Sequence, residues 1–160
     1  MKNSKTYTVN EALLLMERFC SYQERCHFEV ENKLNELGMI AQAQEKIILH
    51  LMAQNYLNEE RFAKSFARGK FLIKNWGRNK IKAALFQRKI SAYNIKSGLK
   101  EIDENDYLII LAKEIVKKSN QIIEKNHLKL KKKVIDYLIQ KGYEYSLIDM
   151  VWNDLNKTTN

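Results

Sequence analysis

One helical unit recurs three times along the chain, and each copy runs as an aliphatic residue, a Leu four positions later, a turn and a second apolar helix. The copies are Val30, Leu34, Leu37-Gly38-Met39, Ile48 and Leu51; Ile81, Leu85, Lys89-Ile90, Leu99 and Ile102; and Val134, Leu138, Gly142-Tyr143, Trp152 and Leu155. The anchor leucines Leu34, Leu85 and Leu138 lie about fifty residues apart, near the upper limit for helical repeat units. Such units bury their faces against neighbours and build an elongated body, which suits binding along another long object better than enclosing a small substrate.

Five Gly and no Pro in 160 residues argue for helix throughout, and a 45% hydrophobic share supplies a packed core. The apolar runs are too short to span a membrane, and Met1 to Asn10 does not read as a signal peptide, so a soluble cytoplasmic protein, monomeric and without membrane contact, is expected. Cys20 and Cys26 fall on apolar helix faces and read as buried free thiols.

Helix starts are marked by capping residues. Thr8 to Glu11 and Ser21 to Glu24 both fit a capping box, and Asn58 and Ser91 fit single caps. Gly38 and Gly142 stand where a left-handed C′ residue closes a helix, with Lys89 as the exception. These signals predict nine helices, at 8–19, 22–37, 42–54, 58–74, 78–89, 92–102, 104–125, 127–141 and 145–156. They form an all-α chain of three tandem three-helix repeats, elongated and curved, with units at 8–54, 58–102 and 104–156. Only the first few residues and the Lys157 to Asn160 tail read as flexible.

The net charge of +9 is unevenly placed. Residues 1–50 carry 6 Lys/Arg against 7 Asp/Glu, residues 51–100 carry 12 against 2, and residues 101–160 carry 10 against 10. A block of this kind predicts a polyanion or a strongly acidic protein surface as partner.

On the fourth helix Arg61, Lys64 and Arg68 project opposite an apolar stripe of Phe62, Phe66 and Ile73, which gives a row of cations able to meet phosphates. Arg78, Lys82 and Lys89 cluster similarly on the fifth helix, with Lys80 pointing elsewhere. Lys70, Lys74 and Trp76 sit at the connection, where an exposed indole among cations could stack on a base, or could simply cover the corner between helices. The run Lys129, Lys131, Lys132 and Lys133 spreads around its helix and reads as a solvated face that Glu124 and Asp136 offset. Glu101, Asp103, Glu104 and Asp106 read as carboxylates complementing a helix N-terminus. His27, Cys26 and Cys20 lack the spacing of a metal site. No catalytic constellation, phosphate loop or cofactor motif stands out, so a binding protein that is not an enzyme is expected.

Leu57-Asn58-Glu59-Glu60-Arg61-Phe62-Ala63, followed by Gly77-Arg78-Asn79-Lys80-Ile81 leading to Leu85 and Ile90, resembles the signature of the RecX family, regulators of the RecA recombinase. The segments Ala12-Leu13 to Leu34-Asn35-Glu36-Leu37-Gly38 and Tyr137-Leu138-Ile139-Gln140-Lys141-Gly142-Tyr143 are similar to their family counterparts, so the likeness runs from about residue 10 to 155. Asn58 and Glu59 depart from the commoner acidic pair. Lys89 replaces a favoured Gly, which predicts a tighter or differently built turn.

The resemblance implies a modular helical protein that lies in the groove of the RecA–DNA filament and inhibits ATP hydrolysis, strand exchange and co-protease activity. It also implies a RecA filament and single- and double-stranded DNA as partners. The expected contacts are Arg61, Lys64, Arg68, Arg78, Lys82 and Arg88, with Lys70, Lys74 and Trp76 next. A stand-alone helix-turn-helix DNA-binding protein is the alternative, although Ser91-Ala92-Tyr93-Asn94 is poor for base readout.

Overall fold

In a computed structural model, residues 4–158 are described. Met1 to Asn3, Thr159 and Asn160, parts of the two terminal segments expected to be flexible, lie outside them. Among the described residues there are nine helices and no strand. They are α1 Val9–Tyr22, α2 His27–Glu36, α3 Ala41–Ala53, α4 Glu59–Lys74, α5 Arg78–Gln87, α6 Ala92–Leu99, α7 Glu104–Gln121, α8 His127–Gln140 and α9 Tyr145–Lys157. The molecule exposes 10678 Å², where a compact globule of this mass would expose about 8,400 Å². The excess is that of an elongated repeat protein.

Side-chain chemistry sets the helix ends. Thr8 caps α1 through Oγ1, which accepts from the Glu11 N–H at 3.1 Å, while the Glu11 carboxylate accepts from the Thr8 N–H at 2.9 Å. Asn58, Ser91, Asp103 and Asn126 cap α4, α6, α7 and α8 in the same sense.

The expected cap at Ser21 is displaced. Ser21 lies in the last turns of α1, where its hydroxyl donates to the Glu17 carbonyl, and α2 starts five residues later than the sequence suggests. There Cys26 is the cap residue, and its N–H donates to Glu29 Oε2 at 3.4 Å. The hydroxyl had a carbonyl within its own helix as a competing partner, and the apolar Cys26 is pulled into the core.

Gly38 and Gly142 take left-handed conformations, φ +74° and +103°. Lys89 does the same at φ 58°, and the Ile90 N–H still closes on the Leu85 carbonyl. The turn after α5 is thus built like its two counterparts, at the steric cost of a Cβ in left-handed backbone.

Buried side chains form two clusters. One belongs to α1–α3 and the segment after them, around Met16, Val30, Leu34, Ile47, Leu51 and Leu57. The other runs continuously through α4–α9 and takes in Cys26 from the first repeat. Within α4 the buried positions are Phe62, Ala63, Ala67 and Phe71; Phe66 is half-buried and Ile73 is 78% exposed. The apolar stripe was therefore misplaced around Ile73. Small residues decide the true face, since a Cβ on Gly98 would collide with the Ala63 carbonyl, so α6 crosses α4 almost backbone to backbone.

Repeats two and three are joined by backbone as well as side chains. Gly77, the cap position of α5, offers no side-chain acceptor; instead its own N–H donates to the Lys141 carbonyl and the Asn79 N–H donates to the Gly142 carbonyl, both at 2.9 Å. Free amides at one helix start are thus satisfied by free carbonyls at another helix end. The Tyr107 ring meets Phe71 of α4 across the same seam at 5.7 Å and Tyr143 of its own repeat at 5.2 Å, and the Tyr143 hydroxyl donates to the Asn75 carbonyl at 2.8 Å. The seam between repeats one and two is more polar: Arg61 Nε reaches Glu24 at 2.7 Å, the His27 N–H donates to Glu59 at 3.1 Å, and Arg88 Nε lies 3.5 Å from Glu29.

Candidate nucleic-acid interface

The central cations divide between structural ion pairs and free surface charge. Arg61 uses its guanidinium on Glu24, on the Asn55 side chain and on the Asn55 carbonyl. Arg68 pairs with Glu101 at 3.0 Å, and Lys64 with Glu60 at 3.3 Å one turn away. Arg78 is clamped by Glu104 and Glu144 and lies 3.9 Å from the Tyr107 ring centroid. Arg88 meets Glu29, the Ala84 carbonyl and the face of Phe66. The acidic cluster at the start of α7 therefore does more than complement a helix: Asp103 caps it, while Glu101 and Glu104 neutralise two of the basic residues expected to meet a polyanion.

Those cations do not form a single row. Arg61, Lys64 and Arg68 share the outer face of α4, as helical periodicity requires. Lys70, Lys74 and Arg88 open into a depression of about 370 Å³ beside α1 and α2, floored by Ser65 and Gly69 and also lined by Glu24 and Glu29. Arg78 and Lys82 open into a groove of about 760 Å³ between α5 and α6.

Trp76 is half-buried against the core rather than an exposed platform, and two ammonium groups lie near its ring, Lys70 at 5.0 Å and Lys80 at 4.4 Å. Lys80, which the sequence set aside, is thereby part of the same cluster. Lys89 turns away to the face of Phe28. In the late lysine run, Lys131, Lys132 and Lys133 pair with Asp149, Asp136 and Glu124, in keeping with a solvated face.

Among the described residues, the central cations without an acidic or aromatic partner are Lys74, Lys82, Lys96 and Lys100. Lys96 and Lys100 were missed because α6 alone reads as a short helix of low charge. Their i, i+4 spacing on it was the available signal. Tyr107 also escaped notice: its hydroxyl accepts the Arg78 N–H at 3.1 Å and donates to Glu144 at 2.6 Å. Burial and that carboxylate push its ionisation far up, so it stays a neutral donor.

Two family models match this architecture: the second three-helix domain of RecX over residues 58–99, and the third three-helix domain of RecX over residues 105–152. The chain belongs to the RecX family. A regulatory protein RecX of Lactobacillus johnsonii is 26% identical over 155 residues, covering 97% of this chain and 57% of that one. A Clostridium botulinum RecX (strain Alaska E43) is 32% identical over 132 residues, covering 80% and 61%. The crystal structure of RecX from Lactobacillus salivarius superposes with a TM-score of 0.83 at 22% identity, over 92% of this chain and 96% of that one, and shows the same fold. The chain spans about 57 to 65% of the length of the first curated RecX relatives it matches. Among the described residues no helix is long and apolar enough to cross a membrane.

Proposed function

We infer that this RecX-family regulator acts by binding the RecA–DNA filament and inhibiting its ATPase, strand-exchange and co-protease activities. The observation that carries the reading is the coincidence of family membership with charge placement: the RecX second three-helix domain falls on the segment that holds the whole positive excess. The units at 8–54, 58–102 and 104–156 stack side by side, so that several subunits and the enclosed strand can be gripped at once. Arg61, Lys64, Arg68, Arg78, Lys82, Arg88, Lys70, Lys74 and Trp76 form the contact set, with Lys70 and Lys74 meeting phosphate most directly. Binding alone suffices for such an effect, and the protein need catalyse nothing.

The test is RecA ATPase and strand exchange on single-stranded DNA across substoichiometric to stoichiometric amounts of the protein, with co-sedimentation on filaments and on naked DNA at physiological salt. Inhibition with filament co-sedimentation is expected; unchanged RecA activity over that range overturns the reading. A footprint at one DNA sequence without RecA would instead establish the helix-turn-helix alternative.

A further inference from the structure

The α5/α6 groove has a composition that phosphate binding does not explain. Arg78, Lys82 and Phe86 descend one rim at four-residue spacing, and Ala92, Lys96 and Lys100 descend the other at the same spacing, so each rim is one side of a helix. Its floor is aliphatic, made by Ile90, Ile95 and Ile102 with Leu99 half-buried above them. Phe86 stands 74% exposed at the entrance. Glu104 closes one end, paired to Arg78. Lys82, Lys96 and Lys100 have no carboxylate partner among the described residues, so the groove carries the largest unbalanced positive charge of the three basic depressions.

We propose that the α5/α6 groove binds an acidic amphipathic helical segment of a partner protein, with aliphatic or aromatic anchors on the Ile90–Ile95–Leu99–Ile102 floor and carboxylates on Lys82, Lys96 and Lys100. A helix laid in an apolar groove presents anchors at i, i+3 or i+4 and i+7. The ten residues of α5 give a trough about 15 Å long, enough for two to three such turns. Nucleic acid fits less well, because bases stack on aromatic platforms and this floor is aliphatic, and because Glu104 opposes a phosphate at the mouth. The proposal rests on the reading of the central repeat as the binding unit and deepens it: this groove takes protein, leaving Lys74, together with the Lys70 and Lys80 that flank Trp76, for phosphate.

The experiment selects binders to the full chain from a displayed library of 16-residue peptides and maps them by NMR amide shifts. Expected are peptides with apolar residues at i, i+3/i+4 and i+7 flanked by Asp and Glu, shifts confined to α5 and α6, and at least tenfold weaker binding to a Lys96→Glu/Lys100→Glu variant, both positions being exposed. Absence of binders, binders lacking acidic residues, or shifts elsewhere overturn the proposal. So does a 30-nucleotide oligo(dT) that shifts α5 and α6 in place of the peptide. Because no recombinase is present, failure here is distinct from failure of the filament assay, which separately decides the regulatory reading.

Discussion

Gly77 and Gly142 touch through their backbones: a Cβ on Gly77 would collide with the carbonyl of Gly142 and the amide of Tyr143, and a Cβ on Gly142 would strike Lys80. This contact holds the start of α5 against the end of α8 and so fixes the angle between the second and third repeats. Gly77→Ala is expected to cost about 2–4 kcal/mol, because backbone rather than a flexible side chain must give way. Thermal unfolding followed by circular dichroism and tryptophan fluorescence checks it; an unchanged midpoint would show that the seam yields freely.

Lys89→Gly has the opposite sign. The Lys holds a left-handed φ of 58° that Gly adopts without penalty, so the exchange should stabilise by about 1 kcal/mol. Denaturant midpoints at constant slope test this.

Glu114 and Lys141 form an ion pair in the same seam, with Asn75 Nδ2 donating to the carboxylate at 3.1 Å and Glu114 only 5% exposed. Lys141→Met strands a buried carboxylate and should destabilise by about 3–5 kcal/mol, whereas Glu114→Gln with Lys141→Met should recover much of the loss. A double-mutant cycle by urea unfolding measures the difference.

Burial pushes the Cys20 and Cys26 thiols up to about 11 from 9.0, and Tyr107 and Tyr143 are raised from 10.0, chiefly by burial. Between pH 9 and 11 the unfolded chain has released thiol protons that the folded chain retains. Stability should therefore fall across that window and continue to fall as the tyrosines ionise, while these groups leave it flat below pH 9. Unfolding midpoints against pH show the trend. Ellman's reagent at pH 8 should label both thiols slowly in the native protein and rapidly in guanidinium.

Lys70→Glu with Lys74→Glu is expected to lower DNA affinity and flatten its salt dependence by about one unit of log–log slope per lost phosphate contact. Lys64→Glu with Arg68→Glu tests the outer face of α4 in the same assay. If both double variants retain wild-type binding and RecA inhibition, the cations along α4 are solvated surface.

Periodicity, capping residues and the threefold Leu spacing made the number, order and approximate bounds of the helices readable, because each signal acts within one or two turns of its own backbone. Thr8, Asn58 and Ser91 cap as their side chains dictate; Ser21 does not, because another acceptor lay within its reach. The location of the basic segment was also written in the sequence, since charge is counted residue by residue. The division of those cations was not. Arg61, Arg68, Arg78 and Arg88 meet acidic residues 26 to 66 positions away, and pairing at that separation depends on how the repeats stack. Only the tertiary structure decided that Lys82, Lys96 and Lys100 remain free beside an aliphatic trough, for the trough exists only where α5 and α6 lie side by side.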